Sequence, residues 1–182
     1  MKKPIIGFLF LALLVSCNTF KLTQGGANEL TTQVKIDFLN ELNAARHAAR
    51  TCAFNNEVFQ AIAAGKDYIS NPKLEVAALS HARWLEQNSI NVTTGDPHDG
   101  AGDGSAVGRI AAAGYQGNPI GENIAAGQPD VVAVVNKDSV SGVNGFMNSP
   151  NRHCNNVMDA DFTQVGLAKR GVYWVVTFGK PN

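Results

Sequence analysis

The stretch from Asn91 to Ser105 contains three aspartates whose carboxylates are the oxygen ligands that Ca²⁺ prefers: Asp96, Asp99 and Asp103, the last followed by Gly104. The ligand spacing of an EF-hand loop is absent, so a solvated Gly/Asp loop explains these residues better than a calcium site. Four glycines, one proline and no apolar periodicity predict a long loop here. Long loops inside compact domains are often functional, which makes this one a candidate part of a site.

A serine and a histidine farther along the chain raise the question of nucleophilic catalysis. Ser149 and His153 are four positions apart. A serine–histidine pair needs an acid that orients the histidine, and many hydrolases present the serine on a Gly-x-Ser-x-Gly turn. Neither feature is present around Ser149, and the sequence also has no P-loop or dinucleotide-binding fingerprint. A Ser–His nucleophile is therefore disfavoured.

The amino-terminal residues have the pattern of a secretory signal peptide. Lys2 and Lys3 precede an apolar run from Ile5 to Val15, which is shorter than the roughly 20 residues that span a bilayer. The run ends at Leu14-Val15-Ser16-Cys17, which resembles the lipobox of bacterial lipoproteins. That resemblance implies cleavage before Cys17 and acylation of Cys17, with several acyl chains giving a stable anchor. A plain signal peptide and an uncleaved anchor are the alternatives.

These features predict how the chain is organised: a signal peptide at residues 1–16, a polar lipidated tether at 17–28 and one domain at 29–182. Loss of the two lysines with the signal leaves 13 of the 15 basic residues against 15 acidic ones. This balance gives neither the excess of positive charge that binds nucleic acid nor a polybasic patch for a membrane surface, so we expect no nucleic-acid partner. The expected location is the bacterial cell envelope, with the lipid on Cys17 holding the protein to an outer-membrane, periplasmic or surface face.

Two cysteines remain once Cys17 is assigned to lipid. Cys52 and Cys154 are an even pair in an oxidising compartment, which predicts one disulfide. The alternative is two buried free thiols, because a sequence does not show whether two Cα atoms approach each other.

The spacing of apolar residues indicates helices around a small sheet, hence an α+β or layered fold. Residues 131–147 are assigned to a helix by spacing although their valines favour a strand, and the Ala-rich residues 55–69 are assigned to a helix by propensity. The full prediction is helices at 30–50, 55–69, 74–90, 107–113 and 131–147, and strands at 120–126, 164–168 and 172–178.

Several motifs in sequence order carry a resemblance to a known family. The chain is similar to the CAP superfamily of cysteine-rich secretory, antigen 5 and pathogenesis-related 1 proteins, in its bacterial form, from about Leu30 to Gly179. The matching segments are Gly114-Tyr115, Gly121-Glu122-Asn123-Ile124-Ala125 with Gly127, Met147-Asn148-Ser149-Pro150, His153-Cys154, Asn156-Val157-Met158, Phe162 to Gly166, Tyr173-Trp174 and Phe178-Gly179.

The resemblance implies a three-layer α-β-α sandwich with a central cleft lined by histidines and acidic residues. At the matching positions these are His98, Glu122 and His153. Two imidazoles and a carboxylate are a ligand set for zinc or another divalent ion, or an acid–base pair. His98 and His153 would both be metal ligands in such a site, which we expect to be weak. His81 lies among apolar residues of a helix and is expected to be a hydrogen-bonded structural histidine.

The chain departs from the family pattern beside His153. A second glutamate found in eukaryotic members has no counterpart, since Ser149 is nearest. One residue is inserted before His153, which leaves Arg152 as a competing cleft residue.

We therefore expect a non-catalytic binding domain for a lipid, a cell-wall fragment, a divalent ion or a partner protein. The alternative is a metal-assisted hydrolase acting on peptide or cell-wall bonds, with Glu122 as the base.

Overall fold

The computed structural model describes residues 29–98, 102–136 and 143–182. The predicted signal peptide, Cys17 and the tether lie outside the described residues. Within these three ranges no helix has both the length and the hydropathy needed to cross a membrane.

Short helices and strands alternate along the described ranges, with 3-10 turns at Phe54–Asn56 and Phe146–Asn148. The helices are α1 (Thr32–Arg46), α2 (Pro72–Gln87), α3 (Ala106–Ala112), α4 (Val131–Val135) and α5 (His153–Met158). The strands are β1 (Arg50–Cys52), β2 (Glu57–Phe59), β3 (Ile69–Ser70), β4 (Gly117–Ala126), β5 (Gln164–Arg170) and β6 (Tyr173–Pro181).

Four of the strands form one sheet in the order β3-β5-β6-β4. The short β3 pairs in parallel with β5, whereas β5, β6 and β4 are antiparallel to one another. Strand β4 is therefore an edge of the sheet. Strands β1 and β2 form a separate antiparallel pair.

Helices cover both faces of the four-stranded sheet. On one face, α2 buries Ala78, Ala82 and Leu85 against Ile124 of β4 and Val175 of β6. On the other face, α1, α4 and α5 pack around a larger core. That core includes Phe38, Leu42, Val134, Val157, Trp174 and Val176. The predicted α+β class and the three-layer α-β-α sandwich are confirmed.

Helix α2 approaches the sheet closely because β5 has a glycine beneath it. A Cβ atom on Gly166 would lie 2.0 Å from the backbone carbon of Leu74, so no larger residue fits there. The α2 start is fixed by Asn71, whose side chain accepts from Lys73 N at 2.9 Å, and Pro72 follows as the first helical residue.

Two helix predictions are wrong. Residues 55–69 form β2, coil and β3, because the alanines there are exposed and no apolar face is buried. Positive φ angles at Asn55 and Gly65 also interrupt any helix. In 131–147 the helix ends at Val135, where Asn136 turns the chain, and Phe146–Asn148 is a 3-10 turn. Helix α1 ends at Arg46, earlier than predicted, since Arg50 begins a strand.

Candidate functional site

A cleft of about 730 Å³ opens beside the free edge of β4. His98, Glu122 and His153 all line it, so three elements far apart in sequence bring them together. His98 belongs to the loop after α2, Glu122 to β4, and His153 is the first residue of α5. The wall also includes Phe54, Ile124, Ala126, Gln128, Phe146 and Arg152. That the three residues form the functional site remains a prediction.

The first contact in the site joins His98 to Glu122. The Nδ1 atom of His98 lies 3.1 Å from Glu122 Oε1, and the carboxylate accepts, so this nitrogen donates. Its other nitrogen has no hydrogen-bond partner among the described residues. The Glu122 side chain is only 2% exposed, whereas that of His98 is 32% exposed. His98 is therefore the accessible member of the pair.

Arg109 of α3 neutralises the buried carboxylate. Its Nη2 donates to Glu122 Oε1 at 2.8 Å and to Oε2 at 3.0 Å, and its side chain is 3% exposed. Its Nη1 donates to Asp103 Oδ1 at 3.2 Å. A buried charge is tolerated when it is paired and hydrogen-bonded, which holds for both partners here. Sequence reasoning missed Arg109, because a lone arginine in a short helix gives no sign that it is buried.

His81 completes a buried polar cluster beneath the loop. Its Nε2 lies 2.9 Å from the carbonyl oxygen of Pro97, and its Nδ1 lies 2.9 Å from Asp103 Oδ2. Asp103 also accepts from Arg109, so His81, Asp103, Arg109 and Glu122 form one connected network. The expectation of a hydrogen-bonded structural histidine at His81 is confirmed.

The same cluster holds the backbone of the glycine-rich loop. Arg109 donates to the carbonyl oxygen of His98 at 3.3 Å and also to that of Gly104. His81 donates to Pro97, the residue before His98. These bonds fix the loop on both sides of His98, so His81 and Arg109 are positioning residues. Asp103 is bonded to both His81 and Arg109, which makes it a poor calcium ligand, and Asp99 lies outside the described residues.

His153 occupies the opposite side of the cleft in a largely apolar setting. Its ring stands edge-on to Phe146, with 5.5 Å between centroids, and lies 6.3 Å from the ring of His98. Its carbonyl oxygen accepts from Asn123 Nδ2 at 3.0 Å. Burial, followed by the nearby His98, lowers the pKa of His153 to about 4, so the ring is neutral at neutral pH.

We expect His153 to make stability depend on pH in acid. The unfolded state binds this proton below about pH 6.5, whereas the low native pKa of about 4 delays protonation of the folded state. Between these values the unfolded state binds more protons, so the free energy of unfolding falls by up to about 3 kcal/mol as the pH decreases, and no further below the native pKa. Urea unfolding of the wild type and His153→Gln between about pH 7 and about pH 4 measures the difference. The expectation would be contradicted if the free energy of unfolding depended on pH in the same way in both proteins. It would also be contradicted if NMR gave the ring of His153 the ordinary pKa of a histidine.

The cysteine behind His153 is bonded as the sequence predicts. Cys52 and Cys154 form a disulfide with Cα atoms 5.6 Å apart, and both are fully buried. This bond ties α5 to the β1–β2 pair. Arg152, the residue before His153, is exposed at the cleft wall with its guanidinium 5.1 Å from the ring centroid of Phe54. The inserted residue therefore leaves both Arg152 and His153 at the cleft.

The residues present do not fit a three-ligand metal centre. Both oxygens of Glu122 are bonded to Arg109, and one of them also to His98. In the described parts of the chain, no group of three or more His, Cys, Asp or Glu side chains is arranged to hold a metal ion. A divalent ion on His98 and His153 could take Glu122 as its third ligand only if the carboxylate left Arg109. Nor do Ser149 and His153 form a nucleophile pair, since no hydrogen bond joins them among the described residues; the Oγ of Ser149 accepts from Asn151 N at 3.1 Å.

Comparison with known proteins agrees with this architecture. The model of the cysteine-rich secretory protein family, CAP, matches residues 39–176. An outer surface protein from Borrelia burgdorferi has a similar structure, with TM-score 0.60 and 21% identity over 87% of this chain and 100% of that one. An extracellular protein containing an SCP domain from Bacillus anthracis gives TM-score 0.50 and 22% identity over 62% of this chain.

The chain spans only about a third of the Bacillus protein, since the match covers 33% of it. At these identities, both likenesses bear on the fold alone. No curated protein sequence matches the chain.

Proposed function

Because the chain belongs to the cysteine-rich secretory protein (CAP) family, we propose that it is a ligand-binding protein of the bacterial cell envelope. Its cleft at His98, Glu122 and His153 binds an organic ligand without catalysing a reaction. A lipid, a cell-wall fragment and a partner protein are the ligand classes of interest.

The bonding of Glu122 is the observation that carries this proposal. A general base must reach the proton that it removes and must have a free lone pair for it. Glu122 accepts two bonds from Arg109 and one from His98, so three of its about four lone-pair sites are engaged. The Glu122 side chain is only 2% exposed, and Arg109 Nη2 lies 3.0 Å from Oε2, the oxygen that keeps the remaining site. This arrangement disfavours the hydrolase alternative, in which Glu122 is the base.

The other polar groups of the cleft favour binding over bond cleavage. His153 is neutral because its pKa is lowered by burial, and His98 keeps one nitrogen free to bond a ligand. Phe54, Ile124 and Phe146 supply apolar wall. Ligand sites commonly combine an apolar lining with a few fixed polar groups.

Turnover and binding assays on the full chain test this proposal together. We expect no product by mass spectrometry from muropeptides or from a linear peptide library. We also expect soluble muropeptides, phosphatidylglycerol vesicles or capped linear peptides to shift the ring-proton NMR signals of both His98 and His153. Turnover that is lost in Glu122→Gln, in a sample that melts like the wild type, would establish the hydrolase instead. Unchanged signals with all three probes would contradict the binding role.

The envelope location is supported by the names of the structural neighbours and by the amino-terminal sequence. One neighbour is described as an outer surface protein and the other as extracellular. A disulfide in the folded domain is consistent with an oxidising compartment. Lipid on Cys17 would place the domain at a membrane through a tether.

Anchoring through Cys17 predicts a lipid label on this one residue. Cells expressing the wild-type chain and fed radiolabelled palmitate should yield a labelled protein in the membrane fraction. Cys17→Ala should lose both the label and the membrane association, because no other residue is acylated in this scheme. Thr19→Ala, in the same polar segment, is the matched control. Membrane recovery of unlabelled Cys17→Ala would favour an uncleaved anchor.

A further inference from the structure

The hydrogen-bonding pattern of β4 leaves part of its backbone without a partner. Gly127 N donates to Val172 O at 3.0 Å, directly beyond the last pair of the β4–β6 ladder, Ala126 with Tyr173. In an antiparallel ladder, residue pairs that exchange backbone hydrogen bonds alternate with pairs that do not. The residues of β4 that are hydrogen-bonded to β6 are therefore those an even number of positions before Gly127. The N–H and C=O groups of Ile124 and Ala126 therefore point away from β6, toward the free edge.

These outward groups lie in the wall of the cleft. Ile124 is only 4% exposed, and Ile124 and Ala126 both line the cleft. Neither residue's outward groups have a hydrogen-bond partner among the described residues. By contrast, the carbonyl oxygen of Glu122, the previous outward position, accepts from Asn156 Nδ2 at 3.3 Å. Ala126 is partly buried, whereas Ile124 is almost fully buried, and buried backbone groups without partners are rare in folded proteins and cost free energy. This edge is therefore suited to an added partner.

Gln128 lies just beyond the end of β4 in the same wall of the cleft. It is 6% exposed and lines the cleft, and its Nε2 donates to Asn144 O at 3.0 Å. Its Oε1 is buried and has no hydrogen-bond partner within the part of the chain that the structure describes. A buried amide oxygen of this kind can accept one more N–H from a ligand.

We propose that the free edge of β4 binds an extended segment of a partner protein as a fifth strand of the sheet. The segment exchanges backbone hydrogen bonds with Ile124 and Ala126 and donates a further N–H to Gln128 Oε1. This inference rests on the proposed function, in which the cleft binds a ligand without cleaving it.

The chemistry of the edge selects an extended polypeptide over the other ligand classes. Donors and acceptors recur on every second residue, about 6.6 Å apart, which is the repeat of a β-ladder. An acyl chain has no hydrogen-bonding groups and would leave the edge unsatisfied, and a glycan does not repeat donors and acceptors in this register. The segment must lack proline at the positions that face β4, because proline has no N–H to donate.

Two variants at Ala126 test the backbone groups of β4 separately from the side chains of the cleft. Linear peptides selected from a phage-displayed library on the purified full chain are synthesised with capped ends and measured by calorimetry. Ala126→Pro removes the outward N–H and places the proline ring at the edge, while the bonds to β6 at the neighbouring positions remain. We expect it to weaken peptide binding about tenfold or more, whereas Ala126→Ser, which keeps the N–H, binds like the wild type.

N-methylated peptides test the alternation without altering the protein. Methylating every second amide should abolish binding in one phase and leave it nearly unchanged in the other, since only alternate amides face β4. Failure to select any peptide, equal binding by Ala126→Pro and the wild type, or equal loss in both methylation phases would each overturn the inference. Muropeptides or lipid vesicles that perturb His98 and His153 would meanwhile leave the proposed function standing.

Discussion

Replacing Arg109 with methionine is expected to lower the free energy of unfolding by about 3–5 kcal/mol, because it leaves the Glu122 carboxylate buried and unpaired. Arg109 donates to both oxygens of Glu122 and also to Asp103 and the loop backbone, so its loss affects four partners. The measurement is urea unfolding of the wild type and Arg109→Met at neutral pH.

A double-mutant cycle separates the pair from general packing. Glu122→Gln alone should also destabilise the protein, and the double variant should lose less than the sum of the single losses, because neither charge remains unpaired. Arg83→Met is the matched control. Arg83 donates to Glu29 at 2.7 Å but is half exposed, so its loss should change the unfolding free energy by no more than about 1 kcal/mol. Similar losses for Arg83→Met and Arg109→Met would refute the role given to burial.

Removing the disulfide is expected to have an effect of similar size. Cys52 and Cys154 are 102 positions apart, and in the chain-entropy model a closed loop of this length stabilises the fold by about 4–5 kcal/mol. Cys52→Ala/Cys154→Ala should therefore unfold at a much lower urea concentration than the oxidised wild type. Alanine is preferred to serine because both positions are fully buried and a hydroxyl would lack a partner.

The reduced wild type provides the control for the disulfide variant. Wild-type protein unfolded in the presence of a thiol reductant should match the alanine variant, whereas the variant itself should not respond to the reductant. A loss below about 1 kcal/mol would show that the unfolded chain gains little freedom without the bond. His153 should retain part of its placement in the variant, because Asn123 still donates to its carbonyl oxygen.

The elements that the sequence predicts correctly are those that bury an apolar face. Helix α2 was predictable because Leu74, Ala78 and Leu85 recur at helical spacing and all three are fully buried. The alanines of 55–69 misled the prediction because propensity without a buried face does not stabilise a helix. In 131–147 the spacing held for only one short helix before Asn136 turned the chain.

The family resemblance identified the main polar residues of the candidate cleft, but it did not identify the arginine that is paired with Glu122. Glu122 and His153 stand in segments that match family motifs, and His98 was identified from the histidine that the family has at the matching position of its cleft. Arg109 stands in no such segment, and its contact with Glu122 joins a helix to a strand. Periodicity describes one element at a time, so it cannot show that a charged side chain of one element is buried against another. The outward groups of β4 likewise follow from strand order and register, which a single strand's sequence does not specify.

The distribution of charge at the cleft has a kinetic consequence. The buried Glu122 carboxylate is paired with Arg109, and the exposed cation Arg152 shares the cleft wall with the exposed anion Asp96, so neither sign of charge dominates the described part of the wall. We therefore expect a partner protein of the proposed kind to reach the cleft by unassisted diffusion, at association rates of about 10⁵–10⁶ M⁻¹s⁻¹. Added salt would leave these association rates nearly unchanged. Differences in affinity between partners would then come from their dissociation rates.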